Sequence, residues 1–325
     1  MRLHYQAAQI KRTLEENGIK ILYHFTPISN LKCIAQYECL LSKEKLENKG
    51  IFADIETGGN ELSLQLDREL GNWSKVHVYF CPHTPMAYGE QGGKHIVYVL
   101  INPEVAIWEN VLFTDTNATR KQDGHRREQG VEGIKLVDFK TIRGTLGDGP
   151  KPWDRTWHRN VQAEILVPDE IPLDYIESIA FISKASLEEG ERLWVNKKHP
   201  PFKVDRDLFH EGFSCVKDAL LTAQDVNEDN VGTTEFINRR EFTVERDSRI
   251  TLLVNIKAVP GLQASVRWTT FDGKVISEDN TVFERGSDYW HWHSVEVEKL
   301  GVGNHFVEYY FGDVRWIEIP FKVRR

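Results

Sequence analysis

Val161-Gln-Ala-Glu-Ile-Leu-Val167, stopped by Pro168, decides how this chain folds. Its apolar and β-branched residues predict a strand. Period-2 alternation puts Val161, Ala163, Ile165 and Val167 on one face, and Gln162, Glu164 and Leu166 on the other. A carboxylate in the middle of such a strand is costly unless it is paired or used. Two readings follow: an edge-strand acid pointing into water, or a buried acid facing a pocket.

Outward from this strand, the first 183 residues alternate strand and helix signals. Ile19–Phe25, Val76–Phe80, His95–Ile101 and Ser178–Ile182 have strand composition, and Ser29 is placed to cap a helix over Asn30–Tyr37. The amino terminus reads as an amphipathic helix rather than a signal peptide. Just before the strand, residues 117–160 carry six glycines and weak periodicity, the pattern of a long loop. The net charge is −8, yet residues 118–160 hold ten Lys/Arg against six acids, so this segment is +4 and the rest −12. Such a stretch is either a solvated loop or a focused polyanion site.

Residues 184–235 read as a helical extension and linker. A capping box (Ser186, Glu189) opens one helix, an apolar stripe over Asp205–Ala223 predicts another, and Gln224–Thr234 is polar. Residues 236–325 change texture to short strands with an Asp272-Gly273 hairpin signal, which predicts a small immunoglobulin-type β-sandwich. Trp290-His-Trp-His293 fits a packed strand of that sandwich, or an exposed recognition edge.

Other function classes drop out. Gly89–His95 only mimics a P-loop, because His95 stands where Ser/Thr must bind magnesium, and no GxGxxG opens a helix. The four cysteines form no CxxC pair, and no zinc spacing occurs. No apolar run is long enough for a membrane span, so the chain reads as cytoplasmic. His77 and His83 read as surface or packing residues.

In order, the chain carries YHFTPISNL (Tyr23–Leu31), VHVYFCPHTPMAYG (Val76–Gly89), VLFTDTNAT (Val111–Thr119) and VQAEILVP (Val161–Pro168). Together these resemble the DarT family of bacterial DNA ADP-ribosyltransferases, the toxins of DarTG systems, over roughly residues 15–185. The resemblance implies an α+β ADP-ribosyltransferase fold, two packed mixed sheets with NAD in the cleft between them, followed here by the all-β sandwich. It implies that Glu164 is catalytic and that His24, Phe25, Thr26, Asn30, Tyr79 and Asn117 face NAD. Arg68, in LSLQLDR, is the candidate for an arginine with which the family holds NAD. The 118–160 stretch corresponds to the loop that presents single-stranded nucleic acid, with Arg126, Arg127, Lys151, Trp153, Arg155, Trp157 and Arg159 as candidate contacts. Tryptophans among cations can stack unpaired bases or anchor the loop.

NAD is then a consumed substrate, no metal is needed, and the target is a base of single-stranded DNA, with RNA as the nearest alternative. The chain would act as a toxin or anti-phage effector. The partner the resemblance implies is a macrodomain-type antitoxin; the sandwich, by its separate texture and balanced charge, is expected to sense a trigger or partner such as a phage protein. Rival readings are an inactive fold that only grips nucleic acid and a transferase acting on protein.

Overall fold

The computed structural model describes residues 2–58, 61–120 and 125–325. The chain divides into two compact units, Met1–Phe181 with Arg192–His210, and Ile182–Glu191 with Glu211–Arg325. The 184–235 segment is thus shared between the units rather than forming a separate extension.

Among the described residues the first unit holds ten strands: β1 Leu22–Pro27, β2 Cys39–Leu41, β3 Lys75–Tyr79, β4 Ile96–Ile101, β5 Leu112–Thr114, β6 Arg127–Gln129, β7 Glu164–Pro168, β8 Glu170–Pro172, β9 Ile176–Phe181 and β10 Phe202–Val204. Eight of them form one sheet in the order β10-β9-β4-β1-β3-β7-β5-β6, while β2 pairs with β8. Strand β4 is buried along its whole length, as its sequence IVYVLI requires. The sheet nearly parts in its middle, because β1 and β3 share the single register pair Tyr23↔Tyr79. By contrast β1 follows β4 from Leu22↔Ile101 to Pro27↔Ile96. The expected two sheets therefore take the form of two four-stranded halves, β10-β9-β4-β1 and β3-β7-β5-β6, hinged on one pair.

Three local expectations are corrected. Strand β7 begins only at Glu164, because Asp154 caps a helix over Arg155–Asn160 whose last turn runs into Val161. Val161 and Ala163 are buried as turn residues, which imitates strand alternation. Residues 125–160 are not a loop: β6 is followed by helices at Gly130–Ile134, Phe139–Asp148 and Arg155–Asn160. Each buries too few residues to leave a stripe in the sequence. Residues 121–124 of that segment lie outside the described residues. Finally, Asp205–Ala223 is no helix, since Cys215–Thr222 forms β11. Val216, Ala219 and Leu221 are buried, while Leu220 packs against Val226, Phe236 and Leu253, so apolar residues on both faces of the strand imitate the stripe read through Val216 and Leu220.

The second unit adds β12 Glu241–Thr243, β13 Arg249–Ala258, β14 Leu262–Thr270, β15 Val275–Phe283, β16 Ser287–Glu296, β17 Gly303–Phe311 and β18 Val314–Arg324. Its sheets are β11-β13-β16 and β12-β18-β17-β14-β15. Both histidines of Trp290–His293 bond to the other sheet: Trp268 Nε1 donates to His293 Nδ1 at 2.9 Å, and His291 Nδ1 lies 2.8 Å from the Tyr309 hydroxyl. Trp292 packs on the cluster of Val226, Phe236 and Leu253, as do Leu220 and Val231. The polar 224–234 segment is therefore a folded cover on this strand, not a free linker.

Candidate active site

Glu164 opens β7, which lies between β3 and β5 and is no edge strand. The residue is 1% exposed. Its backbone N–H donates to Thr114 Oγ1 at 2.9 Å. Oε1 accepts from the Ala118 N–H at 2.9 Å, and Oε2 from His77 Nδ1 at 2.6 Å. The Ala118 amide is presented by the turn after β5, where Asn117 Oδ1 accepts from the Thr119 N–H at 2.9 Å and its hydroxyl at 2.6 Å. The acid is thus both buried and paired, and the solvent-facing reading fails.

His77, read from the sequence as a surface or packing residue, is the side-chain partner of Glu164. Register explains it: Tyr79 pairs with Glu164 across β3 and β7, and His77 is two residues along the same pleat. Its Nε2 lies 3.5 Å from Asp67 Oδ1, and Asp67 Oδ2 meets Lys43 Nζ at 2.6 Å. Asn72 Nδ2 donates to Asp67 Oδ1 at 3.4 Å and to the Ala118 carbonyl at 3.1 Å.

From the other half of the sheet, His24 Nδ1 donates to the His77 carbonyl at 2.8 Å. Burial lowers its pKa to about 4, against the pull of that carbonyl, so His24 is neutral near pH 7. The Phe25 and Tyr79 rings stack at 5.5 Å. Burial, and after it the Glu164 charge, push the Tyr79 phenol well above its ordinary range. Asn30 donates to Thr26 Oγ1 at 2.9 Å and to the Glu56 carbonyl at 2.8 Å, and accepts from the Glu56 N–H at 3.1 Å. It pins the segment that walls the cleft. All these residues, with Asn117, Lys43 and Lys75, line one cleft.

Arg68 does not join them. In the Glu61–Glu69 helix, Ser63 and Asp67 share the face toward the cleft, and Arg68 is turned about 100° away. Its guanidinium lies 3.6 Å from the Trp73 ring centroid and pairs with Glu47. Lys43 and Lys75 are the cations along the cleft wall.

The proposed nucleic-acid contacts separate into two kinds. Trp153 is 79% exposed, and Arg126 and Arg155 are exposed too. Arg120, Arg155, His158 and Arg159 line an open groove. Trp157, by contrast, is 5% exposed and donates from Nε1 to Thr145 Oγ1 at 2.8 Å, so it anchors the helices. Arg127 braces Asn72 at 2.8 Å, Arg159 pairs with Asp115, and Lys151 lies 3.8 Å from Asp148. Among the described residues, no group of three or more His, Cys, Asp or Glu is arranged to hold a metal ion, and no helix is long and apolar enough to cross a membrane.

Residues 23–210 match a family model described as "ssDNA thymidine ADP-ribosyltransferase, DarT". A DNA ADP-ribosyl transferase of Thermus aquaticus is 23% identical over 211 residues, covering 60% of this chain and 91% of the relative. One from Thermus sp. 2.9 is 28% identical over 182 residues, 52% of this chain and 84% of the relative. A solved structure, Thermus sp. 2.9 DarT in complex with ADP-ribosylated ssDNA, aligns with 59% of this chain and 97% of its own at 21% identity and a TM-score of 0.45.

Proposed function

This chain belongs to the DarT family of single-stranded-DNA thymidine ADP-ribosyltransferases, and from that premise we propose that its Glu164 cleft splits NAD and passes ADP-ribose to thymidine. The observation that carries the assignment of roles is a buried carboxylate, held at both oxygens, on the wall of a cleft that also offers an aromatic stack, an amide and two lysines. Those donors fit a dinucleotide: rings for the nicotinamide, lysines for the pyrophosphate, the carboxylate for the ribose.

Positive charge builds on the ribose as the bond to nicotinamide breaks, much as in glycoside hydrolysis, and an adjacent carboxylate stabilises it. Glu164 meets that charge and takes the proton from the base nitrogen that attacks; Glu164 is the catalytic residue. Lys43 and Lys75 take the place expected of Arg68 opposite the pyrophosphate. Trp153, Arg126, Arg155 and the Arg159 side of the groove receive the single strand, where an unpaired base is free to react. The direct test is incubation with labelled NAD and single-stranded DNA or RNA oligonucleotides. Label is expected on thymidine-containing DNA; label on RNA or on protein instead moves the target, and label on neither refutes the assignment.

Modified thymidine would block a template strand, so the chain acts as a toxin or anti-phage effector, restrained by a macrodomain-type antitoxin. Induced expression should arrest growth, and Glu164→Gln should abolish the arrest; arrest by the variant would contradict this role. The sandwich serves a partner such as a phage trigger protein rather than the chemistry. Its charges balance, thirteen Lys/Arg to thirteen Asp/Glu from residue 238 onward, and Phe271, Val275 and Val282 are exposed on or beside β15. Phe271→Asp should leave DNA modification in vitro unchanged, and a clear loss would place the sandwich in the reaction.

A further inference from the structure

Only one of the two groups holding the Glu164 carboxylate is backbone. The other, His77, is itself held: its carbonyl accepts from His24, and its buried Nε2, which makes no hydrogen bond, faces Asp67 Oδ1 at 3.5 Å. Asp67 is 3% exposed and is fixed by Lys43 and Asn72. Strand β3 does not need this row to fold, since Val76 and Val78 supply its buried apolar face. A row of acid, histidine, acid and lysine costs desolvation and adds little packing. What it does provide is an acid with a single orientation.

Resting on the reading of this cleft as an ADP-ribosyltransferase site, we propose that His77, oriented by Asp67, is the positioning residue of the transfer. It locks Glu164 Oε2, while the Ala118 amide locks Oε1, so that the free lone pairs of the carboxylate face the cleft. No covalent change occurs at His77. The bond from ribose C1′ to nicotinamide breaks with its electron pair leaving on nicotinamide, a bond forms from the base nitrogen to C1′, and the proton of that nitrogen passes to Glu164 and then to solvent. The contribution of His77 is geometric, and misplacement of a reacting group by about 1 Å costs on the order of 10²-fold in rate.

The test compares the full chain with its His77→Ala, His77→Asn and Asp67→Asn variants, with melting temperatures to confirm folding. His77→Ala should lose kcat about 10²-fold while KM for NAD stays within about threefold. His77→Asn, which keeps a donor near the place of Nδ1, should recover at least about tenfold of that loss, and added imidazole should restore part of the activity of His77→Ala. Asp67→Asn should lie between wild type and His77→Ala. Unchanged kcat in His77→Ala, or a loss that neither asparagine nor imidazole relieves, overturns the proposal. A second measurement does not depend on turnover: in a crystal structure of His77→Ala the Glu164 carboxylate should leave the Ala118 amide, and an unmoved carboxylate also overturns it. Wild-type protein that modifies no polymer refutes the functional reading instead, and the crystallographic comparison still decides the role of His77.

Discussion

Replacing Glu164 by glutamine changes the charge of the acid and almost nothing of its shape. The new carbonyl can still accept from the Ala118 N–H, now 2.9 Å from Oε1, and the new amide can face His77 Nδ1, now 2.6 Å from Oε2. Stability should therefore change by no more than about one net hydrogen bond, on the order of 1 kcal/mol. The rate should not survive. General-base work is worth about 10²–10⁴, or about 3–5 kcal/mol of barrier. Electrostatic support of the developing ribose charge is worth about 10²–10³ when one such group is removed. In the proposed reaction one carboxylate serves both, and such effects do not simply add, so a loss of at least about 10³-fold is expected. Single-turnover transfer from adenosine-labelled NAD to a thymidine oligonucleotide measures the sum. NAD hydrolysis without DNA measures the effect with water in place of the base as nucleophile. A glutamine variant that transfers within about tenfold of wild type refutes the whole chemical assignment.

Arg68→Ala should leave KM for NAD within about threefold and cost at most about 1 kcal/mol of stability, since the Arg68 and Glu47 side chains are half-exposed; a large rise in KM, measured in the same turnover assay, would return Arg68 to the site. Trp153→Ala should weaken binding of a single-stranded oligonucleotide by about 1–3 kcal/mol at unchanged melting temperature, whereas Trp157→Ala should cost about 3–5 kcal/mol of stability; fluorescence anisotropy and thermal melts separate the two, and the reverse pattern would exchange their roles. His24 and His210 are both held by burial at about 4, so between that value and about 6.5 the unfolded chain binds more protons than the folded one. Stability is therefore lost as pH falls through this window; melting temperatures at about pH 7.5 and 5 should differ by several degrees, and a flat profile would contradict the burial of both rings.

Much of the fold was legible because strands that are buried on both faces announce themselves. IVYVLI at residues 96–101 can be little else, and Asp272-Gly273 marks a real hairpin, with Gly273 at φ 83°. The failures share one cause, a local pattern that borrows the period of another element. At residues 215–222 apolar residues on both faces of a strand gave it the look of a helix. At residues 161–163 two buried turn residues lengthened a strand that starts at Glu164. Across residues 125–160, short capped helices carried too few apolar positions to be seen, though Asp138 and Asp154 each cap one.

The site was legible to a different depth at each residue, and register sets that depth. Glu164 could be singled out from one strand alone, since the cost of burying an acid is visible in seven residues. His77 could not, because 87 positions separate it from Glu164 and only the β3–β7 pairing brings them to 2.6 Å. Asp67 and Arg68 show the same limit within a helix. Adjacent in sequence, one points to the cleft and the other to Trp73, and nothing in LSLQLDR says which face is inward. Charge sums are weaker still as guides. Of the basic residues before β7, Arg127 and Arg159 are tied to Asn72 and Asp115, while Arg126 and Arg155 remain exposed. The +4 of that segment therefore overstates what a DNA strand can meet, and part of the cationic character holds the Glu164 pocket together from behind. The groove and the pocket are thereby linked: Thr116 Oγ1 donates to the Arg159 carbonyl at 2.7 Å, within two residues of the amide that grips Glu164.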